Sequence, residues 1–231
     1  MIDLSHIWQA AKRNFVPALI LQIAMGAVLA AYILHEPTRQ SLGGVAHLKK
    51  EYGYLFSFLA NGLAAGLLPE ILSIACFQGW KIRKRNLSNA VFGFFFWGLM
   101  GMLIDFFYRC QGVWFGNTAD VRTVAIKVCV DMFIFSAFLA CPMTILAIRW
   151  RDRDHHSPAL REISTLNFLR TNLAAVVVAN WAVWIPIVSV VYAMPPELQI
   201  PICVTAEAFW VMLLTTMHEI KARKEAAIFA P

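Results

Sequence analysis

Glu70, Asp105, Asp131 and Glu207 are carboxylates set inside runs of residues otherwise apolar enough to cross a bilayer, each in a different run. A charge at the centre of a membrane helix costs a few kcal/mol, so such a group turns toward a bundle interior or a wet cavity. There it can meet ions, protons or polar solutes. Lys127 is the one basic residue inside a run, and Asp131 follows four positions later, which makes the two neighbours on a helical face. The pair reads either as a salt bridge with the lysine reaching for the interface or as a charged element of a pore wall.

The remaining acids differ in context. Asp105 comes just before Phe106, Phe107, Tyr108 and Arg109, near the expected end of its run, where an aromatic cluster fits the headgroup belt. Glu207 lies mid-run between Ala206 and Ala208, and Glu70 shares its helix with Gly62 and Gly66. Small residues let another helix approach closely. Glu70, Asp131 and Glu207, with Lys127 modulating their charge, are therefore the expected polar path, and an excess of acids favours cations there. Asn61, Gln78 and Asn180 read as hydrogen-bonding glue between helices.

Signals for catalysis are poor. His155 and His156, beside Asp152 and Asp154, are the only histidine pair, and adjacent residues chelate poorly without further ligands at suitable spacing. The sequence contains no HExxH, GxSxG, phosphate-loop or dinucleotide fingerprint. The expectation is a protein without enzymatic activity, metal or cofactor.

The elements that must hold these residues are helices. Of 231 residues, 59% are hydrophobic and 15% charged, and the apolar residues come in long blocks. A soluble domain carries nearer a quarter charged residues. Six spans are expected at 15–34, 54–80, 87–108, 123–148, 171–194 and 199–218, each near the roughly 20 residues that cross a bilayer. Backbone groups in lipid must pair internally, so the spans are helical, giving an all-α polytopic bundle and a single membrane domain over 1–231. Pro69 predicts a kink beside Glu70, and Pro195-Pro196 close a hairpin between the last two spans. Apolar residues at helical spacing, flanked by basic ones, predict interfacial helices over 1–13 and 157–170. The run from Phe15 to Leu34 exceeds a signal-peptide core, so it is expected as an uncleaved first span.

Fourteen of the 20 lysines and arginines fall at the N-terminus, in 81–86, in 149–170 and at the C-terminus. The alternate loops hold Arg39, Lys49, Lys50, Arg109 and Arg122. This bias predicts both termini on the cytoplasmic or matrix side. It also explains the net charge of +6 by topology rather than by nucleic-acid binding. The five cysteines have no metal or disulfide spacing and read as small buried residues.

Three segments carry a family resemblance. Lys127-Val-Cys-Val-Asp131-Met-Phe133, Asn180-Trp181-Ala-Val-Trp184-Ile-Pro186, and Phe209-Trp210 with Leu213-Leu214-Thr215 resemble motifs of the Mpv-seventeen/PMP-twenty-two family of small multi-span membrane proteins. Gly101-Met-Leu-Ile-Asp105-Phe-Phe107-Tyr108 is similar in spacing to a further family segment. Met102, Asp105 and Met132 depart from the family's proline, histidine and glutamine, and Val188 and Val191 replace polar residues. The resemblance implies channel-like, weakly selective passage of small solutes, with Lys127, Asp131, Trp184, Pro186 and Trp210 as the matching positions. The expected partners are the lipid bilayer and small solutes or ions, with homo-oligomer formation left open. The charge asymmetry suits a bacterial inner membrane, and the resemblance gives the mitochondrial inner or peroxisomal membrane as the alternative. The competing expectation is a non-conducting scaffold or assembly factor whose buried charges only hold helices together.

Overall fold

The computed structural model describes residues 4–153 and 166–228, with side chains over 16–153, 173–174 and 176–213. The described residues form six long helices: α1 (Leu4–Leu34), α2 (Glu36–Phe77), α3 (Lys84–Phe115), α4 (Val121–Asp152), α5 (Leu166–Ala193) and α6 (Pro196–Ile228). Five of them, α1 to α5, are long and apolar enough to cross a bilayer. The sixth, expected as a span over 199–218, is helical but is not one of those five. The surface helix expected over 1–13 is continuous with the first span from Leu4 onward. The one expected over 157–170 lies outside the described residues as far as 165, and 166–170 begin α5.

Polarity is distributed inside out. Val16, Ile23, Leu34, Ile71, Phe106, Val113 and Phe138 are exposed, whereas Lys49, Asn61, Asp105, Gln111, Lys127, Asp131 and Glu207 are buried. A water-soluble domain does the reverse. This is the arrangement of an integral membrane protein, in which lipid solvates the apolar exterior and the polar groups must find partners within. Most of the first part of α6 is buried, including Leu198, Gln199, Ile200, Ile202, Cys203 and Ala206. It touches α1, α2, α3 and α5 and forms the centre of the bundle, while α1 packs against α5.

Helix α2 departs most from expectation. Residues 36–53, read as a loop, are helical, and the break in α2 lies at Gly53 (φ 53°, ψ −122°) rather than at Pro69. That backbone conformation is open only to glycine at low cost. Ahead of Pro69 the helix widens. Gly62–Leu67 is π-helical, and the Leu68 N–H reaches back to the Leu63 carbonyl five residues earlier. Widening the turn ahead of proline relieves the clash of its ring with the carbonyl four residues back.

Two close approaches fix the bundle. A Cβ placed on Gly66 would stand 2.5 Å from the carbonyl carbon of Gly93, so α2 and α3 touch backbone to backbone. On the other side of the bundle, Pro186 has no N–H for the carbonyl of Ala182. Gln22 of α1 donates its amide N–H to that oxygen at 3.0 Å and to the Val183 carbonyl at 3.3 Å. The orphan that proline creates in α5 is thereby satisfied from α1.

Gly66→Leu should destabilise the protein by about 1–3 kcal/mol, because the added side chain has no room against Gly93. Gly26→Leu, where nothing lies within 4 Å of the added Cβ, should stay within about 0.5 kcal/mol. Thermal unfolding of both variants in detergent checks the contrast.

Candidate functional site

A cavity of about 750 Å³ lies between α2, α3, α4, α5 and α6. Three of the acids expected to form a polar path line it: Glu70 from α2, Asp131 from α4 and Glu207 from α6. Lys127 does not line it. Most of the remaining wall is apolar or aromatic, with Trp97, Trp184 and Trp210 among its residues, and Arg151 contributes its one basic group.

Each acid has a different local chemistry. Glu70 accepts hydrogen bonds from the side-chain amides of Asn86 (2.8 Å) and Asn89 (3.1 Å) on α3. Asp131 accepts from the Tyr192 hydroxyl at 2.8 Å and from the Ser136 hydroxyl at 3.2 Å. Glu207 is 9% exposed and, among the described residues, its carboxylate has no hydrogen-bond or ionic partner. Arg151 is held by its neighbour Asp152, with guanidinium to carboxylate distances of 3.2 and 2.9 Å.

Lys127 and Asp131 do not form the ion pair that their spacing allows. A helical side chain leans toward the N-terminus of its helix, so a lysine four residues ahead of an acid points away from it. The Lys127 ammonium donates to the side-chain oxygen of Asn117 at 3.3 Å and stands 5.6 Å from the centre of the Tyr192 ring. Tyr192 thus carries both groups, the cation at its ring and the acid at its hydroxyl. Gln111 donates to the same hydroxyl, and the Tyr108 ring lies 4.9 Å from that of Tyr192. Tyr108, Gln111, Asp131 and Tyr192 together form a buried polar and aromatic cluster at one end of the cavity.

Helix α4 presents Asp131 through a further widened stretch, the third among the described residues after Gly62–Leu67 and Ser73–Phe77. Asp131–Ala140 is π-helical, and the Cys141 N–H bonds the Ser136 carbonyl five residues earlier. The carbonyl of Met132 in this stretch accepts from the Trp181 indole at 2.8 Å, which ties α4 to α5. At the start of α4, Asp120 is the N-cap and accepts from the Thr123 N–H at 3.0 Å and the Thr118 hydroxyl at 2.5 Å. These bonds, the Thr118 hydroxyl foremost, hold the exposed carboxyl of Asp120 well below the ordinary aspartate value.

Asp105 belongs elsewhere. Its helix α3 continues to Phe115, beyond the expected end at 108, and the residue is 3% exposed. Its carboxylate receives the Lys49 ammonium at 2.6 Å, the Ser57 hydroxyl at 2.8 Å and the Arg109 guanidinium at 3.1 Å. Lys49 also donates to the Gly53 carbonyl at 3.1 Å, so the glycine break in α2 helps to anchor the lysine over the acid. The sequence hides this cluster, because the mixed polarity around Lys49 reads as a loop whereas the segment is helical. The signal available was Gly53, a breaker between two apolar stretches.

No protein family, curated protein or solved structure matches the chain.

Asp105→Asn leaves a buried Lys49 without its counter-charge and should cost about 3–5 kcal/mol, whereas Lys49→Met with Asp105→Leu should recover most of that loss. Chemical unfolding of the three proteins in detergent measures both. A separate test concerns Asp120. Its folded-state pKa is depressed, so its stabilisation is complete above the ordinary value of 3.8 and is lost as the pH falls through the folded-state value. The melting temperature of the wild type should exceed that of Asp120→Ala by a constant, small margin at higher pH. That margin should shrink only below this value, because solvent screens an exposed group.

Proposed function

We propose that the chain is a six-span membrane protein providing weakly selective passage for small solutes or ions, with the cavity as its inner vestibule. The observation that carries this reading is the convergence of Glu70, Asp131 and Glu207, from three different helices, on one cavity. Acids in membrane helices are expensive to keep, and three around one cavity favour entry of cations over anions.

The basic residues support an orientation with both termini in the cytoplasm. Of the basic residues in the opposite series, Lys49 and Arg109 lie in α2 and α3 and share the Asp105 carboxylate, which offsets one of their two charges. In this orientation the cavity runs from the level of Arg151, next to the cytoplasmic end of α4, to Asp131, nearer the other end of that helix. The cluster of Tyr108, Gln111 and Tyr192 then forms the outer seal. Passage requires the bond between Tyr192 and Asp131 to give way. The resemblance to the Mpv-seventeen/PMP-twenty-two family implies the same class of function, and its matching residues have places in this scheme. Trp184 and Trp210 line the vestibule, and Pro186 opens the carbonyl that Gln22 takes. A bacterial inner membrane suits the charge asymmetry, with the mitochondrial inner or peroxisomal membrane as the alternative.

One observation favours a second reading. The cavity ends at a hydrogen-bonded cluster, and every acid but Glu207 has an internal donor, as in a non-conducting scaffold or assembly factor.

Reconstitution into liposomes separates the two. The passage reading expects flux of small monovalent cations above protein-free controls, greater than that of anions of equal size. Asp131→Asn or Glu207→Gln should lower that flux by about tenfold, a barrier change of about 1.4 kcal/mol. Wild-type flux equal to that of empty liposomes overturns the passage. The scaffold reading then expects the same substitutions to lower only the melting temperature.

A further inference from the structure

We infer that the cavity binds a hydrophobic organic cation, with Glu207 as its counter-ion and the surrounding tryptophans as its apolar walls. This rests on the vestibule reading of the same cavity and names the class of ligand it takes.

Charge, hydration and size point the same way. Glu70 and Asp131 are occupied by amide and hydroxyl donors, and Arg151 by Asp152. Glu207 remains: nine-tenths buried, on the cavity wall, with no partner among the described residues. A carboxylate withdrawn from water without a partner is unfavourable in its charged form, and a cation in the cavity would relieve that cost by holding Glu207 ionised. Small inorganic cations that pass through are not held in the cavity. They need several oxygen ligands to replace their hydration shell, and no group of three or more His, Cys, Asp or Glu among the described residues is placed to hold a metal ion.

A quaternary ammonium or phosphonium differs in two respects. Its charge is diffuse, so little hydration is lost on entry, and its substituents are apolar. Trp97, Trp184, Trp210, Tyr108 and Phe135 give such a cation ring surfaces for dispersion and cation–π attraction. A cavity of about 750 Å³ holds a molecule of this size. An anion would meet three carboxylates and an arginine already engaged.

The test uses the purified full-length chain in maltoside micelles and equilibrium dialysis with tetraphenylphosphonium. Tetraphenylborate, of the same shape and opposite charge, is the control. Saturable binding of one phosphonium per chain is expected, with none for the borate. Glu207→Gln should weaken binding by about tenfold or more, and Trp97→Leu by less, both read as shifts in Kd. In parallel, phosphonium but not borate should raise the melting temperature of the wild-type chain, because a ligand that binds only the folded state stabilises it. This arm decides the matter on the wild type if Glu207→Gln fails to fold. Choline and dihexanoylphosphatidylcholine are then compared as competitors. The stronger one identifies the natural source as a free ammonium or a lipid headgroup.

Absence of saturable phosphonium binding, equal binding of the borate, or an unchanged Kd in a folded Glu207→Gln overturns the inference. Binding is measured at equilibrium and without a bilayer, so it stands or falls independently of flux. Flux without binding removes the organic cation and leaves the passage, and binding without flux does the opposite.

Discussion

A polar group inside this bundle has no water to fall back on, and the architecture follows from the ways in which each such group is answered. Pro186 leaves a carbonyl unpaired in α5, and the answer comes from Gln22 on α1, which is why those two helices adjoin. The widened stretch of α4 turns the Met132 carbonyl outward, and Trp181 answers from α5. Asp105 is answered three times over, by Lys49, Ser57 and Arg109. In hydrocarbon the helices gain nothing from hiding apolar surface from one another, because lipid is equally apolar. Hydrogen bonds and close backbone contacts such as Gly66 against Gly93 therefore set which helix sits beside which.

The four acids of the spanning helices divide by how completely they are answered. Asp105 is saturated by donors of opposite charge and holds α2 to α3. Asp131 and Glu70 accept from neutral donors, which leaves their charge uncompensated while fixing their geometry. Glu207 is unanswered among the described residues. Burial alone does not separate these cases, since Asp105, Asp131 and Glu207 are all below a tenth exposed. The gradient of compensation does, and it runs from the α2–α3 interface toward the cavity.

The helices and the cavity-lining acids were legible in the sequence because both depend on local composition. Apolar runs long enough to span a bilayer announce themselves, and an acid within one has to turn inward. The partners were not legible. Lys49 lies 56 positions from Asp105, in a segment whose mixed polarity reads as a loop, and only tertiary packing makes it a helix. Nothing in the sequence near the end of α5 marks Tyr192 as more than a belt or packing aromatic, yet its hydroxyl reaches Asp131 across the bundle. The pairing of Lys127 with Asp131 failed because spacing fixes the face of a helix but not the direction in which a side chain leans. Pro69 marks a disturbance in α2, but the sequence does not show that the turn ahead of it widens to take the ring.

The widened run in α4 has a consequence for phase. Asp131 and Arg151 are twenty positions apart, and at 3.6 residues per turn they would stand about 200° from one another, on nearly opposite sides of the helix. Both nevertheless line the same cavity, together with Ser136 and Thr144. The stretch Asp131–Ala140 takes more residues per revolution than an α-helix, and the lag it accumulates brings the last third of α4 back into step with the middle. A change of pitch thus gives one helix a single polar stripe running nearly parallel to its axis, where a uniform pitch would have wound that stripe around into the lipid.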